Sequence, residues 1–266
     1  MTNDSERPRA LITGAGIRLG RAMTLHLAAA GWDVAIHYAS SAAGAEETAE
    51  AARGLGARAE PVQADLLDED ATASLIDRGA SALGGPLALL INNASIFEPE
   101  TLETMTRETW DRAVGSNLRA PVTLTQAFAA QAPGPATDAE GEPVARANVV
   151  NMIDQRVWKP TPFFASYTLA KSALLTFTKT AAQALAPEIR VNGIGPGPTL
   201  QGVRQTAEHF RAQRQACPLG RGADPDDILA ALSFILSCKA LTGQMIAIDG
   251  GQHLAWQTPD VVGSPE

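Results

Sequence analysis

The sequence predicts an α/β fold: a doubly wound parallel sheet of about seven strands, helices on both faces, in a single domain. Three observations predict it. Short apolar runs alternate with longer Ala/Leu-rich stretches along the whole chain, which is the pattern of a parallel sheet with crossover helices. Pro86–Asn92 (PLALLIN) is continuously apolar, as a strand buried on both faces must be. Glycines at 31 and 56 stop two of the helical stretches, where a left-handed residue closes a helix.

The elements follow in order. Arg9–Thr13 reads as the first strand and 19–30 as the helix after it. Asp33–Tyr38 is the second strand, with a helix over 45–55. A third strand spans 58–65, then a helix over 69–83, and Pro86–Asn92 is the fourth strand. The second half repeats the pattern: a long helix from about 108 to 131, a strand over 148–153, and a helix from about 164 to 185. A strand over 190–194, a helix over 225–237 and a last strand over 245–248 complete the series. Residues 1–8 read as a flexible tail before the domain, 9–266. Residues 132–146, rich in Pro, Gly and acids, read as an exposed loop. Residues 195–223 read as an irregular lid beside the site.

Composition limits what the chain does. At 266 residues, with 45% hydrophobic residues and a net charge of −8, it builds a sizeable core and excludes a broad nucleic-acid surface, which needs clustered positive charge. No run approaches the roughly 18 apolar residues of a membrane span. The polar N-terminus lacks a signal core, so a cytoplasmic protein is expected. Cys217 and Cys238 read as reduced thiols. No His/Cys spacing suggests a metal, and His26, His209 and His253 show no ligand pattern.

The chemistry lies in a few motifs. Thr13-Gly14-Ala15-Gly16-Ile17-Arg18-Leu19-Gly20 joins the first strand to the first helix. Such a turn is either structural or a pyrophosphate cradle at a helix N-terminus. Tyr167 and Lys171 stand at i and i+4, on one helix face. A phenol titrates near 10, and a fixed cation beside it brings it toward the working range. An arbitrary pair of this kind is more often a half-buried Tyr and a surface Lys, so its surroundings decide. Asp154 closes the strand ahead of Tyr167, Asn92-Asn93-Ala94 closes another, and Pro196-Gly197-Pro198-Thr199 follows a third. All lie at the carboxyl edge, where open α/β sheets bind ligands.

On these residues, with Asp65-Leu66 and Asn117, the chain resembles the short-chain dehydrogenase/reductase family over nearly its whole length. The resemblance implies a Rossmann-type fold, a homotetramer and a small-molecule substrate. It implies that Tyr167 exchanges the substrate proton, that Lys171 lowers the Tyr167 pKa and binds the nicotinamide ribose, and that Asn117 supports a proton relay. Gly14, Leu19, Gly20, Asp65, Leu66, Asn93, Ala94, Pro196, Gly197 and Thr199 would line the cofactor.

Two positions depart from the commonest pattern: Arg18 in place of a glycine, and Asp154 in place of a serine. Both are similar to the pteridine reductase branch, as is Asn93-Ala94-Ser95-Ile96-Phe97, where Ser95 and Phe97 would line the pterin site. Phe97 is otherwise a loop anchor, and Arg18 either an anion or pterin contact or a salt-bridge partner. The implied reaction reduces a dihydropterin, with Asp154 and Tyr167 passing a proton to ring nitrogen. No acid closes the second strand, where an NAD enzyme holds the ribose. Arg18, His37, Ser40 and Ser41 could instead receive a 2′-phosphate, which favours NADP, although an arginine common near Ser40 in that branch is missing. The competing readings are a dehydrogenase of a small ketone, alcohol or sugar, and a non-catalytic dinucleotide-binding regulator.

Overall fold

Seven strands lie side by side in one parallel sheet, in the order β3-β2-β1-β4-β7-β8-β9. They are β1 (Arg9–Ile12), β2 (Asp33–Tyr38), β3 (Ala59–Gln63), β4 (Leu89–Asn92), β7 (Ala147–Met152), β8 (Ile189–Pro196) and β9 (Met245–Ile248). The order reverses between β1 and β4, which opens a crevice at the carboxyl ends of the central strands. The computed structural model describes residues 7–258 and 261–262.

Period-two alternation divides the core into two layers. Ala10 and Ile12 of β1 and Ile91 of β4 face α1 (Arg18–Ala29), α2 (Ala42–Gly54) and α9 (Pro225–Ser237). Leu11 and Leu90, one residue out of step, face α4 (Leu75–Leu83), α6 (Ala120–Gln131) and α7 (Ala165–Leu185). Strands buried on both faces explain why the apolar runs read as continuous rather than alternating.

Several elements differ from expectation, each for a local reason. The helix expected over 69–83 divides into α3 (Glu69–Ala73) and α4 at Ser74, whose hydroxyl donates to the Ala71 carbonyl. The helix expected over 108–131 divides into α5 (Arg107–Val114) and α6 around a π-turn, Gly115–Arg119. The loop over 132–146 carries a short antiparallel pair, β5 (Ala136–Thr137) and β6 (Pro143–Val144). The stretch 195–223 is irregular apart from α8 (Ala207–Gln215). The tail needs correction at its end: the Pro8 carbonyl accepts from Asp33 N, and Arg7 pairs with Asp33 at 3.1 Å, so both residues belong to the folded body. Residues 1–6 lie outside those described. No helix among the described residues is long and apolar enough to cross a membrane.

Arg190 ties the far edge together. Its buried guanidinium donates to the carbonyls of Ile235 (2.7 Å), Leu241 (3.0 Å) and Leu236 (3.0 Å). It thereby fixes the C-terminal end of α9 against β8, a position that also suits its charge. Arg190→Leu strips these carbonyls of their donor, so urea unfolding is expected to show a loss of about 3 kcal/mol; a loss within about 0.5 kcal/mol, the range of ordinary surface substitutions, would contradict this role.

Candidate active site

The Thr13–Gly20 turn is built by close approach. Gly14 has a positive φ of 61°, and a Cβ on Gly20 would lie 2.1 Å from the Gly14 carbonyl oxygen. Thr13 joins the turn to the end of β4: its hydroxyl accepts from Asn93 N (2.8 Å) and Ala94 N (2.9 Å). The Asn93 side chain donates back to the Thr13 carbonyl at 2.8 Å. The first turn of α1 holds no acidic residue and its N-cap offers no side-chain acceptor, so its backbone N–H groups suit an anion.

A cavity of about 560 Å³ opens over this turn. Gly14, Arg18, Leu19, Gly20, His37, Ser40, Ser41, Asp65, Leu66, Asn93, Ala94, Pro196, Gly197 and Thr199 line it, together with Ser95, Asp154 and Tyr167. A second cavity, of about 700 Å³, adjoins it and shares Arg18, Ser95 and Asp154; Phe97 faces this outer space. Lys171 and Asn117 are in the wall of neither. The glycine cradle, the uncapped helix end and the size of the inner cavity together fit a dinucleotide.

His37 lines the cavity, with its ring nitrogens engaged by the protein. Its Nδ1 accepts from Gly14 N at 3.0 Å and its Nε2 meets the Ala64 carbonyl at 3.1 Å. Burial pushes its pKa down to about 4. A neutral ring with both nitrogens engaged braces the turn against the end of β3 and has no proton for a 2′-phosphate. Ser40 and Ser41 remain exposed at the cavity edge.

The Tyr167 hydroxyl donates to Asp154 Oδ2 at 2.9 Å. Asp154 also accepts from Arg156 N at 2.8 Å. Burial raises the Asp154 carboxyl above its usual range, against the pull of its hydrogen bonds and of nearby Arg156 and Lys171. Burial, then the Asp154 charge, hold the Tyr167 phenol well above 10. This reverses the expected lowering. Lys171 lies 5.7 Å from the Tyr167 ring centre and donates to the Met152 carbonyl at 2.7 Å instead. Burial lowers the Lys171 ammonium to about 8. Tyr167 and Lys171 are buried and Asp154 is half-buried at the cavity wall, and the three form one coupled unit.

The π-turn carries Asn117 into the protein interior. Its Nδ2 donates to the Ile96 and Ala113 carbonyls, both at 2.9 Å, and its Oδ1 accepts from the Ser95 hydroxyl at 2.6 Å. Asn117 thus anchors the loop that bears Ser95 and Phe97. Phe97 stacks on Phe164 (4.1 Å, 9°) and meets Tyr167 edge-on at 4.7 Å. Arg18, in a left-handed conformation, donates to the carbonyls of Gln201 (2.9 Å) and Leu200 (3.2 Å) and so touches the 195–223 stretch.

Sequence reasoning missed Phe164, Arg156, Arg204 and Glu100. Glu100 is buried, accepts from Ser166 N at 2.5 Å and from the Ser166 hydroxyl, and its backbone carbonyl accepts from Phe164 N. It fixes the start of α7 one residue ahead of Tyr167. Nothing local relates residue 100 to residue 166, whereas Arg156 stands two residues from Asp154 and is visible once that aspartate is suspected. Cys217 and Cys238 are free thiols.

A family model described as enoyl-(acyl carrier protein) reductase matches residues 14–253. The chain belongs to the short-chain dehydrogenase/reductase family. It is an oxidoreductase of that family, with the Rossmann-like sheet the family shares. A solved structure of FolM alternative dihydrofolate reductase 1 from Brucella suis, in complex with NADP, is 42% identical, with a TM-score of 0.88 over 96% of this chain and 98% of that one. The Brucella canis protein of the same description, also with NADP, is 40% identical, with a TM-score of 0.86 over the same shares. The 3-oxoacyl-[acyl-carrier-protein] reductase FabG of Staphylococcus aureus strain Mu50 is 30% identical over 92% of this chain and 98% of its own length.

The His37 brace predicts a pH signature. In the unfolded chain the ring titrates near 6.5, against about 4 when folded. Between these values the unfolded state binds the proton first, so the contribution is whole above pH 6.5 and is lost as pH falls toward 4. Urea unfolding of wild type should lose roughly 3 kcal/mol more over that interval than His37→Asn, whose amide does not titrate. Parallel curves for the two proteins would exclude a neutral, buried His37.

Proposed function

We propose that this enzyme is an NADPH-dependent reductase of a dihydropterin or a related folate-like heterocycle. The observation that carries the reading is the part-buried hydrogen bond of 2.9 Å between the Tyr167 hydroxyl and Asp154 Oδ2. A carboxyl raised by burial is suited to protonate a weakly basic ring nitrogen; an ionised one beside a developing alkoxide would oppose carbonyl reduction. The resemblance to the two Brucella proteins, described as alternative dihydrofolate reductases in complex with NADP, supports both the substrate class and the cofactor.

In this reading the glycine turn and the N-terminus of α1 hold the pyrophosphate, and Arg18, Ser40 and Ser41 face the phosphate-bearing end. Bound NADPH supplies the hydride. The chain's own residues manage the proton. It is held between Tyr167 Oη and Asp154 Oδ2 and leaves from this pair to the substrate nitrogen. Lys171, beneath the Tyr167 ring, offsets the negative charge that remains, and Ser95 and Asn117 carry the relay inward. Gly197 lets the β8 end pass Asp249, whose Cα would stand 2.6 Å from an added Cβ. The reading includes a homotetramer and a cytoplasmic location, which rest on the family resemblance and on the sequence.

A second reading, reduction of a small ketone or 3-oxoacyl substrate, is favoured by the FabG relatives. NADPH oxidation by pure protein with dihydrobiopterin, dihydromonapterin and dihydrofolate, beside a ketone panel, separates the two. Turnover of a pterin at micromolar substrate is expected, with kcat falling at least about 100-fold in Asp154→Ala, the size of effect that a general acid supplies. Turnover confined to ketones would make the pterin reading wrong.

A further inference from the structure

Three arginines in the wall of the outer cavity, Arg18, Arg156 and Arg204, form no salt bridge among the described residues. The chain has 29 acidic residues and a net charge of −8, so acids are plentiful, and elsewhere arginines such as Arg112 and Arg214 do pair with them. These three rest on neutral acceptors. Arg204 Nη2 donates to the Phe97 carbonyl at 2.6 Å and Arg156 Nη1 to the Thr161 hydroxyl at 2.6 Å. Arg156 Nε is buried with no hydrogen-bond partner among the described residues. A guanidinium has five N–H groups, so each cation keeps donors in reserve.

Their placement gives them a common target. The guanidinium carbons of Arg156 and Arg204 lie 5.9 and 5.8 Å from the Phe97 ring centre. Phe97 in turn meets Tyr167 edge-on at 4.7 Å. A flat ring seated against Tyr167 and Asp154 therefore has a way out past Phe97, flanked by two cations, with Arg18 at the inner edge. Among the described residues the one carboxylate in that cavity wall is Asp154, at its inner end and engaged with Tyr167.

We infer that the outer cavity is an anion subsite in which Arg156 and Arg204 hold a carboxylate-bearing substituent of the substrate, so that a pterin with an acidic tail is preferred to one with a neutral hydroxyalkyl chain. Guanidinium–carboxylate hydrogen bonds are charge-assisted and directional, which sets them apart from the neutral hydrogen bonds that the glutamines of the same wall offer a hydroxyalkyl tail. The ring part of this inference rests on the pterin reading above; the cation cluster does not. The competing role for Arg204 is a latch that holds the 195–223 stretch to Phe97, which would act on every substrate alike.

The test measures kcat/KM with NADPH for dihydrofolate, which carries two carboxylates, and for dihydrobiopterin, which carries none, in wild type, Arg204→Gln and Arg156→Gln. The ratio of the two values should favour dihydrofolate in wild type and fall about tenfold in each variant, mainly through KM. Arg204→Lys should keep part of the preference, and added salt should lower the wild-type ratio. Equal losses for both pterins would assign Arg204 the latch role and overturn the subsite, as would an unchanged ratio. Calorimetric binding of p-aminobenzoyl-L-glutamate serves as a readout without turnover. Binding that Arg204→Gln abolishes, in a protein that turns over neither pterin, would leave the subsite standing and the pterin reading fallen. Turnover of both pterins with no charge effect would do the reverse, and neither binding nor turnover would remove both.

Discussion

Placing a carboxyl, a phenol and an ammonium together out of water is the constraint around which this molecule is arranged. Each would be costly to bury alone. Asp154 is accommodated by two hydrogen bonds, from Tyr167 and from Arg156 N, and Lys171 by the Met152 carbonyl. Met152 ends β7 and Asp154 follows it by two residues, so one strand end serves both ions. That end is held by neighbours on each side. Asn92 of β4 donates to Asn151 of β7 at 2.8 Å, and Asn151 donates to Thr178 of α7 at 2.9 Å. A polar thread thus runs through the sheet centre to the helix that bears Tyr167 and Lys171. Buried polar networks of this kind fix register in a way that apolar packing alone does not, although Asn92 Oδ1 has no partner among the described residues.

The glycine turn solves a different problem with a similar economy of parts. Thr13, at the end of β1, collects the backbone N–H groups of Asn93 and Ala94, while His37 takes the N–H of Gly14. Three strand ends are therefore tied to the turn before any ligand is considered. The price of this closeness is that Gly20 has no room for a side chain. The uncapped N-terminus of α1 that results faces the cavity, and its free N–H groups are the unspent polar capacity of the fold there.

Much of this was legible in the chain. The order of strands and helices follows from apolar runs and glycine stops, and the inner cavity gathers the turn, residues 93 and 94 and residues 196–199 much as their strand-end positions imply. What the sequence hid depends on neighbours distant along the chain. Nothing in 108–131 marks the π-turn at Gly115–Arg119, because its stability comes from the side-chain bonds of Asn117 to Ile96 and Ala113. His37 reads as a candidate phosphate contact at a strand end, and only the positions of Gly14 and Ala64 show that both its nitrogens are engaged. The Tyr167/Lys171 spacing suggests a lowered phenol pKa. The structure gives a raised one, since burial disfavours the phenolate, Asp154 is the charge beside it and Lys171 bonds elsewhere.

That reversal bears on how the site divides its work. Burial moves both the phenol and the carboxyl at the inner end of the crevice toward their protonated forms. The outer end carries Arg156 and Arg204, which form no salt bridge among the described residues, in a chain whose net charge is negative. Field lines from those cations converge on the cavity mouth, yet Arg156 also reaches Asp154, where its charge favours ionisation. An anionic group bound at the mouth would neutralise that influence and leave Asp154 freer to stay protonated. On the proposed reading, then, the tail and the reacting ring are coupled through Arg156: filling the outer cavity favours the protonated form of the carboxyl at the inner one. A neutral substrate would forgo this, even if its ring sat in the same place.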